Sequence, residues 1–294
     1  MTNPLTEKIQ QFYDESSPLW ERTWGEHMHH GYYGPTGQQK KNRRQAQIDL
    51  IEEMLNWGRV SEAQTILDVG CGIGGSTLYL AEKFNAQAVG ITLSPVQAKR
   101  AGDRAQEKGV TLQAFENFGD VRPAVQFQVT DALNTPFPDN SFDFVWSMES
   151  GEHMPDKLAF LQECYRVLKP GGTFLMATWC HRPTHTLAGP LTSSEERHLK
   201  RLYQLYHLPY VISLSGYGTL AESIGFTDLE LADWSRQVEF FWQDVVQSAL
   251  DPAVIAGIFE AGMQTIRGTA AIALMTTGFS RGLIRYGLLR GSKG

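Results

Sequence analysis

Short apolar runs alternate with amphipathic stretches through the middle of the chain. The apolar runs have the length of buried strands and lie at 65–69, 87–91, 125–129, 142–146 and 173–178. Between them, 94–106 and 155–168 have helical spacing, and the first begins with a Ser-Pro pair typical of a helix N-terminus. Strands that alternate with helices predict an α/β fold in which a parallel sheet is covered on both faces.

The pattern changes on both sides of this core. The predicted elements there are helices over 5–20, 38–57, 192–208 and 217–224, a strand over 227–234, and a mostly helical tail over 239–290. We therefore expect a helical lid over 1–60 and a sheet core over 61–180. We also expect a helical cap inserted over 181–225, and a C-terminal region over 226–294 that completes the core.

Composition narrows the class of protein. The chain has 294 residues and a net charge of −6, which argues against binding to a nucleic-acid backbone. Its three cysteines, Cys71, Cys164 and Cys180, lack the spacing of a disulfide framework, so we expect a reducing compartment. There is no apolar signal region at the N-terminus and no run of about eighteen apolar residues. We expect a cytoplasmic protein, with peripheral attachment to a membrane left open.

A glycine-rich turn follows the first predicted core strand. Gly70, Gly72 and Gly74 precede a predicted helix over 76–83, an arrangement that brings free backbone N–H groups close to a ligand. Asp68, two residues before the first glycine, suits a bound ammonium group and would repel a pyrophosphate. The G-x-G-x-G spacing also differs from the G-x-G-x-x-G of a dinucleotide site. The motif resembles motif I of the Rossmann-like class I methyltransferases, which use S-adenosylmethionine (SAM).

This resemblance implies a set of cofactor-binding residues. The run from Thr92 to Gln97 is similar to the T-L-S-x-x-Q motif of cyclopropane-synthase-like methyltransferases, in which the glutamine amide serves the ribose hydroxyls. The alternative is that Gln97 is an ordinary helix-surface residue. Asp131 and Ala132 resemble the pair that receives the adenine amino group. We expect SAM as cofactor, S-adenosylhomocysteine as product and no metal. The expected cofactor-binding residues are Asp68, Gly70, Gly72, Gly74, Thr92, Leu93, Gln97, Asp131, Ala132, Ser147, Tyr13 and Tyr32.

Four titratable residues follow the last two predicted strands of the core. Glu149, Glu152 and His153 come after 142–146, at the sheet edge that binds ligands, where a carboxylate or an imidazole can act as general base. The alternative is that Glu152 caps the next helix and His153 packs against it. His181 lies at the same edge after 173–178, and a structural role is its alternative.

Three histidines, His27, His29 and His30, lie among Trp20, Trp24, tyrosines and glycines in the predicted lid. Metal binding is one interpretation, but the sequence offers no matching pattern of Cys, Asp or Glu ligands. We expect instead that the segment closes over SAM and the methyl acceptor.

Several longer motifs are more specific than the glycine turn. They are W-G-E-H-M-H-H-G-Y-Y-G over 24–34, S-G-E-H-M-P over 150–155, A-T-W-C-H-R over 177–182 and L-P-Y-V over 208–211. With them the chain resembles, over nearly its whole length, the gamma-tocopherol methyltransferase family of cyanobacteria and plastids. The resemblance implies a small hydrophobic acceptor, C-methylated on a prenyl-chromanol ring ortho to its phenolic hydroxyl by an enzyme with a base for the hydroxyl proton.

Other acceptors stay open on the sequence. Relatives of this family methylate alkaloid nitrogens, so an N-methyltransferase that acts on an indole-type metabolite is the main alternative. Sterol or quinone methylation, lipid cyclopropanation and a non-catalytic SAM-binding role are further alternatives, the last disfavoured by the intact set of Asp68, Asp131 and Glu152. Segment 110–124 is longer than the family pattern predicts, and we expect it on the side of the sheet away from the methyl donor.

Overall fold

The computed structural model describes residues 7, 9–15, 17, 21, 25–249 and 263–294. Its strands are β1 (Thr65–Val69), β2 (Gln87–Thr92), β3 (Thr111–Leu112), β4 (Ala124–Val129), β5 (Phe142–Met148), β6 (Leu168–His181), β7 (Phe226–Asp233) and β8 (Ile284–Lys293). They form a sheet with the order β3-β4-β2-β1-β5-β6-β8-β7. The pairs from β3 to β6 are parallel, whereas β8 is antiparallel to both β6 and β7. The predicted α/β fold with a mostly parallel sheet is confirmed.

The helices lie where the amphipathic stretches predict them, except that two start at shifted positions, at 43 in place of 38 and at 214 in place of 217. They are α1 (Arg43–Trp57), α2 (Gly75–Phe84), α3 (Pro95–Lys108), α4 (Lys157–Val167), α5 (Ser193–Tyr206), α6 (Leu214–Ile224), α7 (Ser235–Val238), α8 (Phe240–Ala249) and α9 (Met263–Ser280). Helix α1 begins five residues later than the predicted residue 38, because the Asn42 side chain caps it by accepting a hydrogen bond from the Arg44 N–H at 2.8 Å. No helix within the described ranges is long and apolar enough to cross a membrane.

The N-terminal helix predicted over 5–20 is described only in part. Residues 9–15 are helical, and most of the rest of that prediction, with Trp20 and Trp24, lies outside the described residues.

The prediction of a mostly helical tail to residue 290 is wrong at its end. Helix α9 stops at Ser280, and Gly282 has a φ of +67° that turns the chain into β8. Tyr286, Leu288 and Leu289 are completely buried, because β8 is inserted between β6 and β7. The final apolar stretch is therefore an interior strand of the sheet, next to the edge strand β7.

Two hydrophobic cores lie on opposite faces of the sheet. Along β5, Phe144 and Trp146 belong to one core, whereas Val145 between them belongs to the other. This alternation follows from the pleat of a strand, in which successive side chains point to opposite faces. Helix α1 packs on the first face and helix α4 on the second, so both faces are covered.

Segment 110–124 lies at the amino end of β4. It contains β3 and a single turn of 3-10 helix at Phe115–Asn117. The Phe115 ring packs 5.2 Å from the Phe137 ring and 5.3 Å from the Phe142 ring, measured between centroids. The long segment is thus anchored by aromatic packing at the edge of the sheet opposite to the carboxyl ends of the strands, as expected.

Candidate active site

A cavity opens at the carboxyl ends of β1, β2, β4, β5 and β6, the edge where open α/β sheets bind ligands. The sheet order places β4, β2 and β1 on one side of it and β5 and β6 on the other. We call the first side the polar end, lined by Asp68, Gly72, Thr92, Gln97 and Asp131. We call the other side the aromatic end, lined by His30, Trp179, Tyr206, Phe241 and Trp242.

The three glycines of the turn after β1 have different surroundings and different roles. Gly72 has a φ of +53°, and a Cβ there would meet no protein atom within 4 Å, so its backbone is open to a ligand. Gly74 has a φ of +83°, and a Cβ there would lie 2.8 Å from Ala101 of α3 and 2.9 Å from Phe127. The expected cofactor contact of Gly74 therefore needs correction, because this glycine lets α2 pack closely on its neighbours. Gly70 lines the cavity beside Gly72.

Asp68 lies on the floor of the polar end. Its side chain is buried and accepts a 2.6 Å hydrogen bond from the Thr77 hydroxyl. Burial raises the pKa of Asp68 to about 7, although the Thr77 hydrogen bond favours ionisation. A carboxylate held in such a position gains from a cationic group of a ligand, so the residue fits an ammonium.

Thr92 and Gln97 form a polar pair above β2. The Thr92 hydroxyl donates to the Gln97 Oε1 at 2.7 Å, and the Gln97 amide donates to the Ser17 hydroxyl at 3.0 Å. Gln97 is only 4% exposed, so the alternative that it is an ordinary surface residue is wrong. Leu93, Asp131 and Ala132 continue this wall of the cavity.

Two expected cofactor residues lie elsewhere. The Ser147 hydroxyl pairs with the Ser150 hydroxyl at 2.7 Å, and Ser150 donates to the Val69 carbonyl at 2.6 Å, which ties the end of β5 to the end of β1. The Tyr32 ring packs 5.4 Å from the Trp234 ring, with the Lys41 ammonium above it. Neither residue is among the described residues that line the cavity.

Glu149 lines the cavity where its polar and aromatic ends meet, a place that we call the junction. Three hydrogen-bonding groups hold its carboxylate. The His30 N–H donates at 2.8 Å, the His30 Nδ1 lies 2.9 Å from Oε2, and the Tyr286 hydroxyl donates at 2.9 Å. Burial alone would raise the pKa of Glu149, but the charge and hydrogen bonds of His30 lower it below its ordinary value. Glu149 is therefore a fixed carboxylate.

Glu152 lines the same junction in a different electrostatic state. It is 1% exposed and accepts a 2.8 Å hydrogen bond from the Thr178 hydroxyl of β6. Burial, and then repulsion from Glu149, raise the pKa of Glu152 to about 8. The alternative that Glu152 caps the next helix is wrong, because Asp156 caps α4 by accepting from the Ala159 N–H at 2.9 Å.

His153 contacts the N-terminal helical residues. Its Nε2 lies 2.7 Å from the Tyr13 hydroxyl, and both residues line the cavity. Burial, and then the nearby Lys157 ammonium, lower the pKa of His153 to about 3, so the imidazole is neutral. Lys157 donates to the backbone carbonyls of Gly151, Glu152 and Met154, which fixes the turn that carries Glu152.

His181 lies beyond the cavity. Its Nδ1 is 2.7 Å from the Arg182 carbonyl, and its backbone N–H donates to the Ile212 carbonyl at 3.2 Å. Strand β6 extends to His181, three residues past its predicted end at 178. The candidate base at this position is therefore misplaced, since His181 is absent from the described lining residues, whereas Trp179 is present.

The segment from His27 to Tyr33 belongs to the core. His27, His29 and His30 are at most 5% exposed and line the cavity, and Tyr33 is completely buried. That this segment closes over bound ligands stays a prediction. Gln47 of α1 holds it by donating to the carbonyls of His27 and His29. Within the described ranges, no group of three His, Cys, Asp or Glu residues could hold a metal ion.

Comparison with known proteins identifies the family. A methyltransferase-domain model matches residues 67–176. The chain is 45% identical to a probable tocopherol O-methyltransferase of Oryza sativa, over 97% of this chain and 77% of the relative. It is 41% identical to the tocopherol O-methyltransferase of Arabidopsis thaliana, over 98% and 82%.

The chain belongs to the tocopherol methyltransferase family.

As a member of this family, it is a SAM-dependent methyltransferase. It is also 33% identical to the 2-methyl-6-phytyl-1,4-hydroquinone methyltransferase of Synechocystis, over 97% of this chain and 87% of the relative. An ajmaline N-methyltransferase of Rauvolfia serpentina is 30% identical, over 96% of each chain. The fold is that of the geranyl diphosphate C-methyltransferase of Streptomyces coelicolor, solved with S-adenosylhomocysteine, with a TM-score of 0.75, 19% identity and coverage of 100% and 99%.

The family corrects one expectation from composition. The Oryza and Arabidopsis tocopherol methyltransferases are named as chloroplastic proteins, which contradicts the predicted cytoplasmic location.

Sequence reasoning missed two residues of this tocopherol methyltransferase. The sequence predicts His30 as part of a lid, with a metal site as the alternative, and assigns no role to Lys157. His30 pairs with a carboxylate 119 residues away, so no local spacing marks the contact. Lys157 could have been identified from the sequence. A lysine in the first turn of a helix, beside a buried apolar run, needs hydrogen-bond acceptors for its ammonium group.

Proposed function

We propose that the chain transfers the methyl group of SAM to a ring carbon of a prenylated phenol of the tocopherol type. The observation that supports this most is the position of Glu152. This buried carboxyl group lies between a polar end that suits SAM and an aromatic end that suits an apolar ring. The names of the plant and cyanobacterial relatives agree with such an acceptor.

The polar end fits SAM group by group. We propose that Asp68 binds the ammonium, that the open backbone at Gly72 borders the methionine part, and that Thr92 and Gln97 bind the ribose hydroxyls. Asp131 accepts from the adenine amino group. Tyr13, on the helical residues 9–15 that act as the lid, then borders the cofactor together with His153 of the turn after β5, and the region over 181–225 acts as the cap.

Glu152 is the proposed base for the phenolic proton. A general base works best when its pKa is near the working pH, and the pKa of Glu152 is raised to about 8. When bound, SAM supplies the methyl group on a positively charged sulfonium. Glu152 is more easily ionised beside a positive charge, so this base becomes effective once the cofactor is in place.

The same carboxyl group favours methylation at carbon over methylation at oxygen. After Glu152 has taken the proton, it remains hydrogen-bonded to the phenolate oxygen. That oxygen is then shielded, and the negative charge is shared with the ortho ring carbon, which attacks the methyl group. The two plant relatives are named O-methyltransferases, so the position of the new methyl group is part of the proposal.

The test is methyl transfer from labelled SAM to a matched pair of acceptors. One is a prenylated chromanol with a free hydroxyl, and the other is the same molecule with that hydroxyl blocked as a methyl ether. We expect transfer to the free phenol alone, because the blocked ring has no proton for Glu152 to remove. Equal transfer to both acceptors would contradict the proposal.

An amine acceptor is the second candidate, favoured by the similarity to the ajmaline N-methyltransferase. An amine needs alignment more than it needs a base. Transfer to an indole alkaloid amine, without transfer to the free phenol, would establish this alternative.

A further inference from the structure

His30, Glu149 and Tyr286 come from three distant parts of the chain and form one hydrogen-bonded unit. His30 precedes α1, Glu149 follows β5, and Tyr286 lies in β8. Glu149 accepts from the His30 backbone N–H at 2.8 Å and from the Tyr286 hydroxyl at 2.9 Å, and its Oε2 lies 2.9 Å from the His30 Nδ1. Glu149 adopts this position with a φ of +53°, a conformation that a residue with a Cβ rarely takes.

The carboxylate determines which nitrogen of His30 is free. Because Glu149 can only accept, Nδ1 is the protonated nitrogen when the His30 imidazole is neutral, and the lone pair is then on Nε2. The His30 side chain is 1% exposed, and Nε2 has no hydrogen-bond partner among the described residues. A buried polar atom without a partner is unfavourable, so a ligand group is the expected partner.

The surroundings place this nitrogen at the aromatic end of the cavity. Measured between ring centroids, His30 lies 4.7 Å from Phe241, 5.2 Å from Trp242 and 6.1 Å from Trp179. All four residues line the cavity. The indole N–H groups of Trp179 and Trp242 also have no partner within the described part of the chain. An aromatic acceptor with polar substituents matches this set.

The neighbouring histidines are less suited to take a proton. His29 has its Nδ1 on the His30 carbonyl at 2.7 Å and makes no hydrogen bond to Glu149 that is comparable to that of His30, and burial, only partly offset by the Glu149 charge, lowers the pKa of His29. His27 lies against the start of α2, where a Cβ on Gly75 would be 2.7 Å from its Nδ1. His153 has its Nε2 on the Tyr13 hydroxyl.

C-methylation of a phenol needs two proton removals, and Glu152 can hold only one proton at a time. We propose that His30 is a second catalytic base, which removes the proton from the ring carbon that has received the methyl group, with Glu149 and Tyr286 as positioning residues. This inference rests on the proposed function. It adds a catalytic residue that no enzyme acting on oxygen or nitrogen would need.

Glu152 takes the hydroxyl proton, and the electron pair of that O–H bond passes into the ring. The ortho carbon forms a bond to the methyl group while the S–CH₃ bond breaks, which leaves S-adenosylhomocysteine and a dienone whose sp³ carbon bears both CH₃ and H. His30 Nε2 takes this proton, the C–H electron pair restores the aromatic ring, and the carbonyl oxygen recovers the proton held by Glu152. The net products are the methylated phenol, S-adenosylhomocysteine and one proton, which leaves from His30.

The test compares acceptors that carry hydrogen or deuterium at the ring carbon to be methylated. His30→Asn keeps an amide near the Nδ1 position, which can still donate to Glu149, but lacks Nε2. We expect turnover to fall by roughly 10²–10⁴-fold, the scale for losing a general base, while SAM binding measured by calorimetry is retained. We also expect a primary isotope effect that the wild-type chain lacks, because loss of the ring proton becomes rate-limiting.

Tyr286→Phe removes one donor to Glu149 and should give a smaller fall in rate with a smaller isotope effect. His29→Gln is the matched control, a buried neighbour that should show no isotope effect. The inference is overturned if His30→Asn keeps the wild-type rate, if it slows both isotopic acceptors equally, or if His29→Gln shows the same isotope effect. A wild-type chain that does not methylate the phenol at all would instead refute the proposed function, and the inference with it.

Discussion

Replacement of Glu152 by glutamine should change how the stability of the protein depends on pH. The substitution keeps the size of the side chain and an oxygen for the Thr178 hydroxyl, but it removes the ionisable group. In the folded chain the pKa of Glu152 is raised from its ordinary value of 4.5 to about 8, by burial and then by Glu149.

The sign of the effect follows from proton binding. Below pH 4.5 both the folded and the unfolded chain keep the proton, so Glu152 costs nothing. Between 4.5 and about 8 the unfolded chain releases a proton that the folded chain retains, so the free energy of unfolding falls as pH rises. Within this interval each pH unit lowers the free energy of unfolding by about 1.4 kcal/mol. The total cost of Glu152 to stability therefore approaches about 5 kcal/mol above pH 8.

Urea unfolding from about pH 5 to about pH 9 measures this cost. We expect Glu152→Gln to match the wild type at the acid end and to exceed it by several kcal/mol at the alkaline end, while methyl transfer falls by roughly 10²–10⁴-fold.

Glu163→Gln is a control whose effect on stability should not vary with pH between about 5 and about 9. Burial alone would raise the pKa of Glu163, but hydrogen bonds from Arg166 and Thr135 lower it, so its contribution to stability is present above its ordinary pKa and lost as pH falls. Parallel pH curves for the wild type and Glu152→Gln would refute the electrostatic account of the junction.

Three further predictions concern the polar end and the lid. Gln97→Ala should weaken SAM binding by about 1–2 kcal/mol in calorimetry, because a buried hydrogen-bonding group is lost, and an unchanged affinity would exclude the ribose role. Gly72→Ala should lower SAM affinity more than it lowers stability, whereas Gly74→Ala should mainly lower the melting temperature, because its Cβ would meet Ala101 and Phe127; identical behaviour would remove the distinction. Deletion of residues 1–24 should abolish turnover while the core still unfolds cooperatively, since Tyr13 no longer reaches His153; full activity would show that the lid is dispensable.

Local motifs explain why the polar end was predictable from sequence. Asp68, Thr92, Gln97 and Asp131 each lie within a few residues of the end of a parallel strand, and the carboxyl ends of such strands meet at one edge. The type of residue and its distance from the strand were enough to bring them together. The separate roles of Gly72 and Gly74 were not predictable, because both fit the same spacing and differ only in what surrounds them.

The rest of the site depends on contacts between distant parts of the chain. The pairing of His30 with Glu149 requires the N-terminal segment to pack inside the protein, whereas its glycines and aromatic residues are equally typical of a mobile cover. The final strand β8 is not predicted because its burial does not alternate strictly along the chain, and its place between β6 and β7 depends on residues far away in sequence. Strand β6 continues for three residues beyond the predicted end at 178. His181 therefore belongs to the strand and does not lie in the loop after it.

The position of the transferred methyl group tests the central claim most directly. The measurement is carbon NMR of the product formed from SAM labelled with carbon-13 in its methyl group and a prenylated chromanol with a free ortho position. The account predicts the label on the aromatic carbon next to the phenolic hydroxyl. A label on the phenolic oxygen, or transfer only to an amine acceptor, would contradict it.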